Sequence, residues 1–472
     1  MGILDILVLI IYVIGMLAIG VVSKGKINSM DDFILGGKRF NKFALTGTIM
    51  ATMVGSGMMM GAAGSSYTSG AGGTLLWIYF GFGVGLILMG LLSKRLRQTG
   101  ARSLAESIST AFGVKARLAC AIVVVIYAAS LVAINVAGLR TIIIYIFGDS
   151  LQLSMELATL IAVLIPIAFT AMGGFFAVVW TDTVQLVIMI VGIFILGPII
   201  GIHAAGGLDV VTSTYAAEGM TLTNPFENGV SSGMIGLALS YILASPGDPT
   251  MPQRALSAKD DGTATFSFTI SGLIAFGFGI ALLLVGGAAH ILVPGLENAD
   301  AALPMMIVQY YPPVLKGLAI AGMIAAIMSS FDSFLILATT HIMYDIGKVL
   351  KPDLSEEKIQ KSLPMLTVIL GIAGALIALF ISSLLGYLSM VFSIIGSSVV
   401  PVAALYFREK TSKTAATLSI IAGAVVPAVL FFTVGYNVFL GDPVFIGLFS
   451  SVGILIIGSL ILKDKPGASG VQ

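Results

Sequence analysis

Ser329, Ser330, Asp332 and Ser333 stand together inside LAIAGMIAAIMSSFDSFLILATTHIMY, a run from Leu318 to Tyr344 that is otherwise mostly apolar. Such a run belongs in a bilayer, where an ionised carboxylate at mid-depth costs roughly 2.5 to 3.5 kcal/mol on insertion scales, so Asp332 marks a functional site by default. At helical spacing Ser329, Asp332 and Ser333 share a face, which brings two hydroxyls and a carboxylate to one point. These are hard oxygen donors, and a small cation is the guest that suits them. Serines in membrane helices also bond back to the preceding turn or hold helices together. Against that, no Lys or Arg lies in this run to neutralise Asp332.

Other chemistries find no support. There is no nucleophile elbow, phosphate-binding glycine loop or paired-carboxylate arrangement, so no catalytic residue is expected and the chain does not read as an enzyme. His203, His290 and His341 are far apart and form no metal-ligand spacing, so neither a transition metal nor an organic cofactor is expected. Cys120 is the only cysteine, which rules out an intramolecular disulfide. Of 472 residues, 57% are hydrophobic and 10% charged, where ordinary soluble domains carry about 25% charged residues. This composition describes an all-α polytopic membrane protein. A net charge of +1 gives no sign of a nucleic-acid partner.

Apolar runs near the roughly 20 residues needed to cross a bilayer recur about thirteen times, at 2–22, 44–66, 72–92, 118–147, 152–173, 180–204, 231–253, 266–292, 315–345, 363–383, 386–406, 413–435 and 442–462. The first lacks a basic leader and a small-residue cleavage pattern and reads as a retained span. With the N-terminus outside, every one of the 24 Lys and Arg residues except Arg140 and Lys316 falls on the inner side. The positive-inside rule therefore predicts thirteen spans, N-terminus out and C-terminus in, across the plasma membrane. The outer segments 203–230 and 291–314 read as short caps with a little helix, and the tail after Lys463 as disordered.

Two spans carry helix-breaking residues. The second holds Gly47, Gly55, Gly57, Gly61 and Gly64 with hydroxyl residues between them; the seventh holds Ser245-Pro246-Gly247-Asp248-Pro249, then Pro252. Proline removes a backbone donor and clashes with the preceding turn, while glycine lets the backbone leave helical geometry. Interrupted helices five spans apart are what an inverted five-plus-five repeat predicts for its two first helices, with ions and solute held at midplane by the unwound carbonyls. On this division residues 1–43 are an extra span and loop, 44–204 the first repeat, 205–408 the second, and 409–472 two further spans and a tail.

Several stretches together resemble the sodium:solute symporters, the family of the bacterial sodium/proline, sodium/pantothenate and sodium/sialic acid carriers. They are Asp32-Phe33-Ile34-Leu35-Gly36-Gly37-Lys38-Arg39, Arg102-Ser103-Leu104-Ala105-Glu106, the segment from Thr170 to Gln185 (TAMGGFFAVVWTDTVQ), and Gln253-Arg254-Ala255-Leu256-Ser257-Ala258-Lys259. The resemblance runs from Asp32 to about Arg408. It implies a leucine-transporter-type fold, alternating access, sodium as coupling ion and a small organic solute (amino acid, amine or small carboxylate) as cargo. Carried over by motif, the first sodium site comprises Ala51, Val54, Ala326, Ser329 and Ser330. A second cation or proton site would use Asp182, Asp332 and Ser333, with Asp332 standing where two-sodium members have serine. The solute would contact Gly55, Ser56, Tyr241 and Asp248, with Met58, Trp77 and Asn135 as further lining candidates. Asp248 stands where the proline carriers have a neutral amide; it recognises an amine, or it caps the broken helix or belongs to the inner gate. A proton-coupled carrier of the same fold, or a transporter-like sensor, would share these features.

Overall fold

The computed structural model describes residues 1–24, 29–69, 72–151, 153–170, 174–224, 226, 231–398, 410–435, 437–438 and 441–462. Ala171-Met172-Gly173 of the Thr170–Gln185 segment, the end of the eleventh apolar run and the tail after Lys463 lie outside the described residues. Among the described residues the chain is helical without strands, apart from one isolated parallel bridge between Phe40 and Ala258.

Helix α1 (Ile3–Lys24) is followed by the short α2 (Met30–Leu35), which Ser29 caps by accepting from the Asp32 amide. Helix α3 (Lys42–Met53) begins at Asn41, whose side chain accepts from the Ala44 amide. Helix α3 stops at Val54, and after a π-helical turn (Gly57–Gly61) the chain continues as α4 (Ala62–Ser69). The two halves meet at 66°. Next come α5 (Gly72–Arg97) and α6 (Leu104–Leu151), the latter kinked where Gly113 adopts φ 82°. Then follow α7 (Met155–Thr170), α8 (Gly174–Met189) running through a π-helical segment into α9 (Leu196–Ala204), and α10 (Leu208–Ala217).

The second half repeats the theme. Helix α11 (Ser232–Gly247) ends at Asp248, and α12 (Thr250–Ser257) resumes after Pro249. Helix α13 (Asp261–Leu292), α14 (Ala302–Tyr310) and α15 (Leu315–Thr340) follow, the last continuing through a π-helical segment into the short α16 (Lys348–Leu350). The described chain closes with α17 (Glu356–Ala378), α18 (Leu384–Ser397), α19 (Lys413–Val434) and α20 (Pro443–Ile461).

Nine helices among the described residues are long and apolar enough to cross a bilayer, and the bent pair α3/α4 makes a tenth. The fifth, seventh and eleventh expected positions hold the shorter apolar helices Met155–Leu164, Ser232–Gly247 and Leu384–Ser397. Each falls below the length of a full crossing, so helix length gives nine or ten spans among the described residues, and the expected count of thirteen rests on the apolar runs and the charge placement. The reasons differ locally: α11 is cut by the Pro246–Pro249 break, α7 contains Pro166, and α18 ends where the described residues stop.

In the most apolar 18 residues of the span Leu315–Leu350, 94% are buried within the protein, against only 22% in the corresponding stretches of the spans Ile3–Ser23 and Pro443–Ile461. Helix α15 is therefore the axis, packed against α6, α8, α1 and α3. Close approach requires small residues there. A Cβ on Gly47 of α3 would lie 2.7 Å from Thr183 Oγ1 of α8, and one on Gly55 would lie 2.9 Å from Ser330 Oγ.

Candidate ion and solute site

Breaking α3 frees backbone carbonyls at a definite place. In an unbroken helix the Thr52 carbonyl would accept from the Ser56 amide, four residues on. Instead that amide donates to Asn135 Oδ1 of α6 at 3.1 Å, and the Ser56 hydroxyl donates to the Ile134 carbonyl at 2.9 Å. The carbonyls left over meet α15: Ser329 Oγ donates to Ala51 O and Ser330 Oγ to Thr52 O, both at 2.9 Å. Each hydroxyl also reaches the Ala326 carbonyl, at 3.0 and 3.2 Å. Thus Ala51, Ala326, Ser329 and Ser330 come together as expected, with Val54 at the break itself, where its φ and ψ of −89° and 56° leave the helix.

The donor set fits a monovalent cation. A hydroxyl proton rotates to suit its partner, so an ion placed among these oxygens turns each Ser O–H away and takes both the hydroxyl oxygen and the carbonyl it had been bonded to. Backbone carbonyls and neutral hydroxyls are hard donors without net charge. All four side chains around the point, Ala51, Ala326, Ser329 and Ser330, are buried.

One turn further along α15 the surroundings change. Ser333 Oγ lies 3.1 Å from Thr52 Oγ1 and accepts from Arg254 Nη2 at 2.8 Å. Arg254, fully buried on α12, also donates from Nη2 to Thr52 Oγ1, from Nε to the Thr48 hydroxyl (3.1 Å) and carbonyl (3.3 Å), and from Nη1 to the Thr250 carbonyl (3.2 Å). Its Nη2 stands 3.5 Å from Asp182 Oδ2, which accepts a 2.6 Å bond from Thr48 Oγ1. Asp182 Oδ1 is buried with no hydrogen-bond partner. Asp182 and Ser333 therefore converge, but on a guanidinium. Asp332 is buried as well, and the hydroxyls that α15 presents to α3 are those of Ser329, Ser330 and Ser333. Sequence reasoning quoted Arg254 but gave it no part; the signal was a lone arginine five residues past the Pro249 break.

Above the first ion set lies a small cavity with an empty volume of about 330 Å³. Its polar wall is Thr52, Ser56, Asn135, Asp248 and Ser330, and its apolar wall includes Met58, Phe82, Leu131, Phe334, Leu388 and Phe392. Gly55, Ser56, Met58, Asn135 and Asp248 border this cavity. Tyr241 stands behind the wall, its hydroxyl 3.1 Å from Ser389 Oγ and its ring 5.1 Å from that of Phe392. Trp77 sits apart, edge-on to Phe80 and Phe226. Asp248 caps a helix and borders the cavity. Its Oδ1 accepts from the Thr250 amide (2.9 Å) and hydroxyl (2.7 Å), capping α12, while the residue also borders the cavity.

The family model for sodium:solute symporters matches residues 33–423. The chain belongs to the sodium:solute symporter family. It is 28% identical to the sodium/proline symporter of Haemophilus influenzae over 97% of this chain and 94% of that one. It is 24% identical to the sodium/pantothenate symporter of the same organism, over 78% and 77%. A solved sodium-coupled sialic acid symporter, described as substrate-bound and outward-open, superposes with a TM-score of 0.82 at 21% identity, covering 98% of each chain; it shares the fold. The protein is a multi-pass membrane transporter of the leucine-transporter-type fold that couples sodium to the symport of a small solute.

Proposed function

We propose that this symporter imports an amine-bearing or zwitterionic solute with one sodium ion held by Ala51, Val54, Ala326, Ser329 and Ser330. The observation that carries the ion assignment is the pairing of the Ser329 and Ser330 hydroxyls with the Ala51 and Thr52 carbonyls at the break in α3. Sodium there ties the broken helix to α15, and this favours the conformation in which the neighbouring cavity accepts solute. Binding that differs between conformations is what shifts a conformational equilibrium.

Asp248 gives the cavity its polarity. No basic side chain lines the described cavity wall, so a carboxylate at its edge favours a cationic group on the cargo. Phe82, Phe334 and Phe392 supply apolar contact for a compact side chain. With about 2.3 kcal/mol per charge per 100 mV and about 1.4 for a tenfold gradient, one sodium supports roughly 500-fold accumulation of a neutral solute.

The placement of Lys and Arg supports thirteen spans in the plasma membrane, N-terminus outside and C-terminus inside. Alternating access then exposes the midplane site to either side as one set of helices rocks against the other.

The test is thermal stability of the purified protein against a panel of amino acids, amines and small carboxylates, each with sodium and with potassium. A ligand of the folded state raises apparent stability by mass action. Stabilisation by an amine-bearing solute only in sodium is the expected result. Hits confined to simple carboxylates would overturn the solute assignment, and stabilisation indifferent to sodium would overturn the ion assignment.

A further inference from the structure

The Arg254 guanidinium stands at a point built like a cation site. Its Nη2 touches two neutral hydroxyls, Thr52 Oγ1 and Ser333 Oγ, and faces Asp182 Oδ2 at 3.5 Å. An ordinary buried arginine–carboxylate pair closes on itself with short parallel bonds. Here the carboxylate takes its short bond from Thr48 at 2.6 Å, and the guanidinium's nearest partners are hydroxyls of α3 and α15. Those two helices also supply the sodium site one turn away. Thr52 serves both: its carbonyl accepts from Ser330 and its hydroxyl from Arg254.

We infer that Arg254 is a tethered cation resident in the second ion position, so that the transporter binds one sodium. An ion that took Asp182, Thr52 and Ser333 as ligands would coincide with Nη2. It would also meet a like charge already compensating the carboxylate. The guanidinium cannot be deprotonated in proteins, so only movement of α12 can vacate the position. Arg254 does not itself line the solute cavity; it meets the cavity wall and the first sodium set only through Thr52, and it acts by occupying a place. This inference rests on the sodium assignment above and fixes its stoichiometry.

Equilibrium binding of radioactive sodium to the purified full-length protein tests it without knowledge of the solute. At saturation the wild type should hold one sodium per chain, and the Ser329→Ala/Ser330→Ala double variant should lose it. Arg254→Gln, which removes the charge and keeps a polar side chain, should hold two, and adding Asp182→Asn should return the count to one. Arg254→Lys keeps a tethered charge and should stay at one. A wild-type count of two, or a count of one in folded Arg254→Gln, would overturn the inference while leaving sodium coupling intact. A wild-type count of zero would instead overturn the sodium assignment. Should Arg254→Gln not fold, the wild-type count and that of Arg254→Lys still decide, since two ions in either would contradict a resident cation.

Discussion

The Ser56 amide donates to Asn135 Oδ1 at 3.1 Å, and so the Thr52 carbonyl four residues earlier is left for α15 to use. One side chain on α6 thus holds the break in α3 open. Asn135 is itself anchored, donating from Nδ2 to the Leu131 carbonyl at 2.8 Å. Replacing it by Ala leaves the buried Ser56 N–H without its acceptor, a loss of about 1 to 3 kcal/mol. Asn135→Ala should therefore lower the melting temperature measurably and weaken sodium binding as well, because the carbonyl geometry relaxes. A variant as stable as wild type, with unchanged sodium affinity, would mean that the break is maintained by Gly55 and Gly57 alone.

Removing a single hydroxyl from the ion set should act on sodium alone. Ser329 and Ser330 are buried, and each bridges α15 to the broken helix. A lost neutral ligand is worth about 0.5 to 1.5 kcal/mol, and each 1.4 kcal/mol is tenfold in affinity. Ser329→Ala and Ser330→Ala should each raise the sodium concentration for half-maximal stabilisation by about threefold to tenfold. Solute affinity at saturating sodium should change much less. Activity that persists with an unshifted sodium requirement would place the ion elsewhere.

Asp248→Asn separates the two duties of that residue. The amide oxygen can still accept from the Thr250 amide and hydroxyl, now bonded at 2.9 and 2.7 Å, so the cap on α12 survives. What disappears is the negative charge at the cavity edge. Affinity for amine-bearing solutes should fall by tenfold or more while the melting temperature stays close to that of wild type. If solute affinity and selectivity are both unaltered, Asp248 serves only as a cap.

The two breaks and the serine helix were legible because each is a local matter: Pro246 and Pro249 cannot continue a helix, and Ser329 and Ser330 share a turn with the Ala326 carbonyl they both reach. The company of Asp182 was not legible. Thr48, Arg254 and Ser333 lie far from it and from one another in the chain, and helical spacing relates only residues within a few turns. Phe82, Phe334 and Phe392 were indistinguishable from other apolar residues until the cavity drew them together. The thirteen-span count came from the apolar runs, with which the charge placement agreed, and the short helices α7, α11 and α18 carry no independent support for it.

A pH dependence of stability should be felt through Asp300. It lies in the turn before α14, in the cap between α13 and α15, and its Oδ2 accepts from the Leu384 amide at the start of α18. Burial pushes its carboxyl up to about 6 from an ordinary 3.8, against the opposing effect of that hydrogen bond. A raised folded-state value means that the folded protein holds the proton more tightly than the unfolded chain. The stabilising contribution of protonation is then complete below about pH 4 and is lost as pH rises through about 6. Asp300→Asn removes this titration and still offers an oxygen to the Leu384 amide. Compared with wild type, the variant should gain stability as pH is raised from 4 to 7 and show little difference at pH 4. Melting curves of the two proteins across that range check it: parallel curves would mean that Asp300 ionises as freely in the folded protein as in the unfolded chain, with the bond to Leu384 outweighing its burial.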